Sequence, residues 1–121
     1  MNRLLKSFGH AWRGIKYCLA NEQNFKLHLA AGSAAIVLAF FLKCTVVEWM
    51  IILLCIALVI CLEMLNSAME KFCDMKLKDF HPEIRFIKDI AAGAVLIAAA
   101  IAVVCGGIIF LPKLLQLFSR D

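Results

Sequence analysis

Charge is scarce in this chain of 121 residues: Asp, Glu, Lys and Arg make up 18%, whereas hydrophobic residues make up 64%. Soluble domains carry roughly 45–50% apolar residues, glycine included, so the composition excludes an ordinary water-soluble domain. Cysteine is plentiful at six residues, but no Cys-x-x-Cys pair occurs, and the usual metal and thiol-redox spacings are absent with it. Cys44, Cys55, Cys61 and Cys105 lie in or beside apolar runs and read as small hydrophobes packed among helices. There is no GxxxxGK motif and no Gly-rich kinase loop, which excludes both soluble kinase classes. Internal repeats and low-complexity tails are also missing. The N-terminal stretch MNRLLKSFGHAWRGIKYCLA interleaves charges with apolar residues, so no signal peptide is expected.

What is present is helical periodicity. Over residues 2–20, Leu4, Leu5, Phe8, Trp12, Ile15 and Leu19 share one face, and Arg3, Lys6, His10, Arg13 and Lys16 share the other. Such an amphipathic helix suits the membrane interface. The polar break NEQNFK follows at 21–26, and then a first apolar span over about 27–43. It is short for a bilayer that takes about 20 residues to cross. Its run of small residues from Ala30 to Ala35 suits close helix contact. A second span is expected over 46–65, with Trp49 at one interface and the helix continuing to about Lys76. Pro82 interrupts the polar segment after it, and a third span runs over about 90–111, ended by Pro112. The expected fold class is an all-α membrane protein, one domain over 1–121, with a surface helix and three transmembrane helices.

Basic residues set the expected orientation. Ten of the thirteen Lys and Arg fall in the N-terminal segment or between the second and third spans, which lie on the same side of the membrane. The positive-inside rule puts that side in the cytoplasm.

The second span ends in LEMLNSAMEKFCD, where Glu63, Asn66, Ser67, Glu70 and Asp74 fall on one side of a helix. With Glu22, Asn24, His28, Lys88 and Asp89 they gather at the cytoplasmic membrane face. Carboxylates that close to lipid are costly unless paired, hydrated or bound to a cation. Oxygen donors suit Mg²⁺, which commonly takes one or two carboxylates and shares its other positions with phosphates. A lysine can neutralise phosphate charge, and a further carboxylate can take a proton from an attacking hydroxyl. These parts suffice for phosphoryl transfer. The wetted face of a helix leaving the membrane is the plainer reading of Asn66 to Asp74. Glu63 resists it, because it abuts the apolar run.

The chain resembles the small bacterial integral-membrane lipid kinases, the diacylglycerol kinase and undecaprenol kinase family. The resemblance rests on W-R-G-I-K at 12–16, N-E-Q-N-F-K-L-H at 21–28, E-M-L-N-S-A-M-E at 63–70 with Asp74, and K-D-I-A-A-G-A-V-L at 88–96. It implies a homotrimer with sites between subunits, Mg²⁺ and ATP, and a lipid alcohol as acceptor, with a place in lipid metabolism and phospholipid biosynthesis. By position it implies Glu63 as general base, and Glu22 and Glu70 as holders of the metal. Arg3, His10, Glu22, Asn66, Glu70, Asp79, Phe80, His81, Lys88 and Asp89 would contact the nucleotide. The lipid would lie near Phe8, Trp12, Lys16, Asn24, Phe25, Trp49, Glu63 and Ala92. Ile87 departs from the family's common alanine, and His10 from its aromatic contact. His28 and His81-Pro82 match the undecaprenol-kinase branch and lean toward a polyprenol acceptor, while no residue excludes either undecaprenol or diacylglycerol.

Two other functions compete. A small transporter would carry its coupling carboxylate near the midplane, whereas here the carboxylates cluster at one face. A membrane scaffold would tolerate Gln at position 63. No nucleic-acid partner is expected.

Overall fold

The computed structural model describes residues 2–76 and 81–119, without the Lys76 side chain. They form four helices: α1 (Asn2–Asn21), α2 (Gln23–Phe41), α3 (Val46–Lys76) and α4 (Pro82–Ser119). Three of them, α2, α3 and α4, are long and apolar enough to cross a membrane. Large hydrophobic side chains point outward along all three, among them Val37, Leu54, Leu58, Leu96 and Ile97. In water such a surface would aggregate; in hydrocarbon it is the solvated surface. This is a membrane protein.

At 1.5 Å per residue, α2 is about 28 Å long and matches a hydrocarbon core of about 30 Å. By the same rise α3 reaches about 46 Å and α4 about 57 Å, so both must project beyond the core. On this scale Glu63 lies about 26 Å from the start of α3, Glu70 about 36 Å and Asp74 about 42 Å. The stripe therefore begins at the edge of the hydrocarbon and climbs out of it on a rigid rod.

One residue separates α1 from α2. Glu22 is extended, with φ −109° and ψ 110°. Its N–H donates to the Cys18 carbonyl at 2.9 Å, closing α1, and its carbonyl accepts from Lys26 N–H at 3.2 Å, opening α2. It thus stands at the N-cap position, yet its side chain makes no capping hydrogen bond. The carboxylate remains available to other partners.

The opposite end of α2 closes as a Schellman motif. Lys43 N–H reaches the Phe40 carbonyl at 3.4 Å and Cys44 N–H reaches the Ala39 carbonyl at 3.2 Å. The αL residue that the motif requires is Lys43, at φ 53°. A side chain there costs about 1–2 kcal/mol, which glycine would avoid. Thr45 and Glu48 then form a capping box that starts α3: Thr45 N–H donates to Glu48 Oε1 at 2.9 Å, and Glu48 N–H to Thr45 Oγ1 at 3.2 Å. Beneath this turn lies the apolar cluster of Ala39, Ile52 and Ile109, with Trp49 and Phe110 against it. Phe40 meets Trp49 edge-on at 4.8 Å.

Pro112 does not end the third span's helix: α4 runs through it to Ser119. Proline removes one backbone donor and crowds the preceding turn, at a cost of about 3 kcal/mol in an exposed helix interior. Neighbouring helices can re-satisfy such a site, and here Lys113 is tied across to Glu48 of α3 at 3.0 Å. That ion pair ties the residue after the proline to α3.

The α2–α3 contact is close at Gly32, where a Cβ would stand 3.0 Å from Ile56 Cγ2. Gly32→Leu should force these helices apart and destabilise the fold by about 1–3 kcal/mol. The check is thermal unfolding of the detergent-solubilised protein. An unchanged midpoint would contradict the contact.

Candidate functional site

Three polar side chains are buried among the described residues, and all belong to the α3 stripe: Glu63 at 2% exposure, Asn66 at 6% and Ser67 at 6%. Glu63 Oε2 lies 3.7 Å from His28 Nε2 of α2. One turn on, Asn66 Nδ2 reaches Glu70 Oε1 at 3.5 Å. Asn66 Oδ1 and Ser67 Oγ have no hydrogen-bond partner among the described residues. Buried polar atoms are nearly always satisfied in folded proteins, so two orphans on one helix face point to a partner that binds there.

Where α1 crosses α3 a polar cleft opens, about 270 Å³, lined by Tyr17, Glu22, Ser67, Glu70, Lys71, Asp74 and Met75. The uncapped Glu22 corner thereby meets Glu70 and Asp74 across 40 or more positions of sequence. Carboxylates opposed across a cleft, with a buried hydroxyl beside them, form an oxygen-rich donor set for a hard cation. Among the described residues no three His, Cys, Asp or Glu side chains converge closely enough to hold a metal by themselves. The arrangement suits an ion that completes its shell with other oxygens, as Mg²⁺ does with phosphates.

Beneath Glu63 a second cavity, about 340 Å³ and largely apolar, runs between α2, α3 and α4. Its walls include Gly32, Ile56, Val59 and Ala102, and His28 belongs to its lining as well. Through His28 the apolar cavity borders the Glu63 carboxylate.

Lys88 of α4 donates to Asp74 Oδ1 at 2.6 Å, joining α4 to the stripe. Asp89 is exposed and faces Arg85 at 3.5 Å instead. On α1, Arg3, Phe8, His10, Trp12 and Lys16 are exposed, and His10 Nδ1 pairs with Arg13 at 3.2 Å. Asn24 is exposed and Phe25 is buried at the start of α2. Ala92 is exposed on α4. Trp49 belongs to the cluster at the far end, about 21 Å along α3 from Glu63. His81 accepts from Glu83 N–H at 3.3 Å. Asp79 and Phe80 lie outside the described residues.

Two cleft residues escape a reading of the sequence. Tyr17 is a single tyrosine on α1, and Lys71 reads as one more cation of a charged segment. The signal for Lys71 is thin: it follows Glu70 and stands one turn after Ser67.

With this geometry, comparison with known proteins is decisive. The family described as prokaryotic diacylglycerol kinase matches residues 9–110. The chain belongs to that family. Among its relatives is the undecaprenol kinase of Bacillus subtilis, 44% identical over 114 residues, covering 94% of this chain and 93% of that one. A diacylglycerol kinase of Synechocystis is 41% identical over 115 residues, covering 94% of this chain and 66% of its own length. The diacylglycerol kinase of Escherichia coli is 31% identical over 102 residues, 84% of each chain. The family match spans the Glu22 corner, the α3 stripe and the Lys88-Asp89 pair together.

Cys18 sits in α1 beneath this site and is buried. Burial pushes its thiol above the ordinary range, and the Glu22 and Glu63 carboxylates push it further. The thiolate, which is the nucleophile, then forms only at higher pH. In a variant retaining Cys18 alone, alkylation by iodoacetamide should rise at higher pH than for a free thiol. A titration at or below the ordinary value would overturn this environment.

Proposed function

We propose that this chain transfers the γ-phosphoryl group of ATP to the hydroxyl of a membrane lipid alcohol, with undecaprenol as the favoured acceptor and diacylglycerol as the other. The lipid-kinase activity follows from family membership. The acceptor is supported by the Bacillus subtilis relative, named an undecaprenol kinase and aligned over nearly the whole of both chains. The observation that carries the site is the buried Glu63, continuous on one helix face with the polar cleft and bordering the apolar cavity. An amphipathic acceptor needs both environments within reach of one carboxylate.

In this reading Glu63 accepts the proton as the acceptor's O–H bond breaks and its oxygen bonds to the γ-phosphorus. The bond from that phosphorus to the β,γ-bridging oxygen breaks, and ADP leaves. His28 Nε2 stands 3.7 Å from the Glu63 carboxylate on the α2 side. Glu22 and Glu70 would hold Mg²⁺, which neutralises phosphate charge when bound. Asn66, with its free Oδ1, and the Lys88–Asp74 pair would contact the nucleotide from α3 and α4. Arg3, His10, Asp79, Phe80, His81 and Asp89 would complete that contact. Phe8 and Trp12 of the apolar face of α1, and Lys16 of its basic face, would lie in the interface and, with Asn24, Phe25, Trp49 and Ala92, guide the lipid. The site would face the cytoplasm from the plasma membrane. A homotrimer of this one domain would shield the stripe from lipid by sharing it between subunits.

The test is transfer of radiolabelled phosphate from ATP by the purified protein in mixed micelles, with each lipid offered separately, with Mg²⁺ and with chelator. Mg²⁺-dependent label in undecaprenol is expected; label only in diacylglycerol would reassign the acceptor. No label in either would sink the reading. Glu63→Gln should lower turnover by about 100-fold or more, the range of general-base loss, while nucleotide affinity holds. Glu70→Gln should weaken nucleotide binding measured with Mg²⁺ and leave binding without it unchanged. Equal affinity in the two variants would contradict this division of roles.

A further inference from the structure

We propose that Lys71 is a phosphate-binding cation of the α1–α3 cleft, held in position by Tyr17; this rests on the nucleotide-dependent reading above. Its ammonium donates to the Tyr17 hydroxyl at 2.9 Å and lies 4.1 Å from the centre of the Tyr17 ring. Both contacts are to a neutral group, so the lysine is oriented while its charge stays uncompensated. Among the described residues Lys71 forms no ion pair with a carboxylate, whereas Lys88 is bound to Asp74 at 2.6 Å and Lys113 to Glu48 at 3.0 Å.

Charge balance in the cleft then assigns each group. The Asp74 carboxylate is answered by Lys88. A divalent cation between Glu22 and Glu70 would answer both of theirs. Lys71 is left as a surplus positive charge on the cleft wall. A polyphosphate brought in by such a cation carries oxygens that remain negative, and charge-assisted bonds to them are the strong ones. An independent observation points the same way. Ser67 lines this cleft, is 6% exposed, and its hydroxyl has no hydrogen-bond partner among the described residues. A hydroxyl so buried calls for an acceptor from outside. A cation and a donor on the wall of one small cleft match a phosphate group.

Phosphate can come from a nucleotide or from an anionic phospholipid headgroup, and we commit to the nucleotide because the cleft is polar and carries the cation-binding carboxylates. The experiment measures binding of a non-hydrolysable ATP analogue with Mg²⁺ to the full chain in non-ionic detergent. Lys71→Met should weaken binding about 5- to 20-fold, in keeping with loss of one charge-assisted contact. Lys71→Arg should recover to within about twofold, since the charge is kept although its geometry differs. Tyr17→Phe should show a smaller loss, and adenosine should bind all four proteins alike. Equal analogue affinity in wild type and Lys71→Met overturns the proposal, as does an equal loss for adenosine, which marks a structural role. A Lys71 effect that appears only when phosphatidylglycerol is added assigns the site to a headgroup and overturns the nucleotide. Analogue binding with the expected pattern but no phosphate transfer overturns the kinase reading and leaves the Lys71 assignment standing. No binding by wild type overturns both.

Discussion

A carboxylate at the edge of hydrocarbon has to be given company, and the burial of Glu63 sets what the surrounding helices must supply. At 2% exposure it has lost water as a partner. The imidazole of His28 approaches from α2 at 3.7 Å, and Asn66 and Glu70 follow on its own helix. None of this could be arranged if α3 stopped where the apolar run stops. The helix continues instead, without a break, to Lys76. The apolar and polar halves are thereby in fixed register, and the depth of each stripe residue is set by helical rise alone.

The Glu22 corner solves the complementary problem of bringing α1 over that stripe. A single extended residue turns the chain, so α1 and α2 keep nearly all their backbone hydrogen bonds. Serine or aspartate would be the ordinary choice at such a position, because a short side chain caps the helix behind it. Glutamate leaves that capping unmade and reaches into the cleft. Local helix stability has been set aside there in favour of a carboxylate at a defined place, as is common at functional sites.

Much of this architecture is legible in the residues themselves. The apolar runs, the 3.6-residue spacing of Glu63, Asn66, Ser67, Glu70 and Asp74, and the continuation of α3 to Lys76 are local patterns, and local patterns are what a sequence displays directly. Boundaries are less so. NEQNFK reads as a polar break of several residues, but only Glu22 leaves the helical conformation, since one residue suffices for the bend. Pro112 reads as a stop, yet α4 runs through it, and the contact beside it, Lys113 with Glu48, spans two helices. The Tyr17–Lys71 contact joins positions 54 apart. It depends on the angle at which α1 crosses α3, which no periodicity encodes. Burial is equally invisible: Ser67 and Asp74 look alike in the stripe, yet one is covered and the other exposed.

The closed ends of α2 carry a consequence for the surrounding lipid. This helix is the shortest of the three that can cross the membrane, at 19 residues. The Glu22 bend terminates it on one side and the Lys43 turn on the other, so it can neither lengthen nor slide. A thicker bilayer must therefore thin around it, and a thinner one must tilt it, each at a fraction of a kcal/mol per Å of mismatch. Because Glu22 is the end-stop of that rod, tilt moves its carboxylate relative to the stripe on α3. Acyl-chain length in the host membrane thus acts on the geometry of the cleft through elasticity, with no headgroup needing to be recognised.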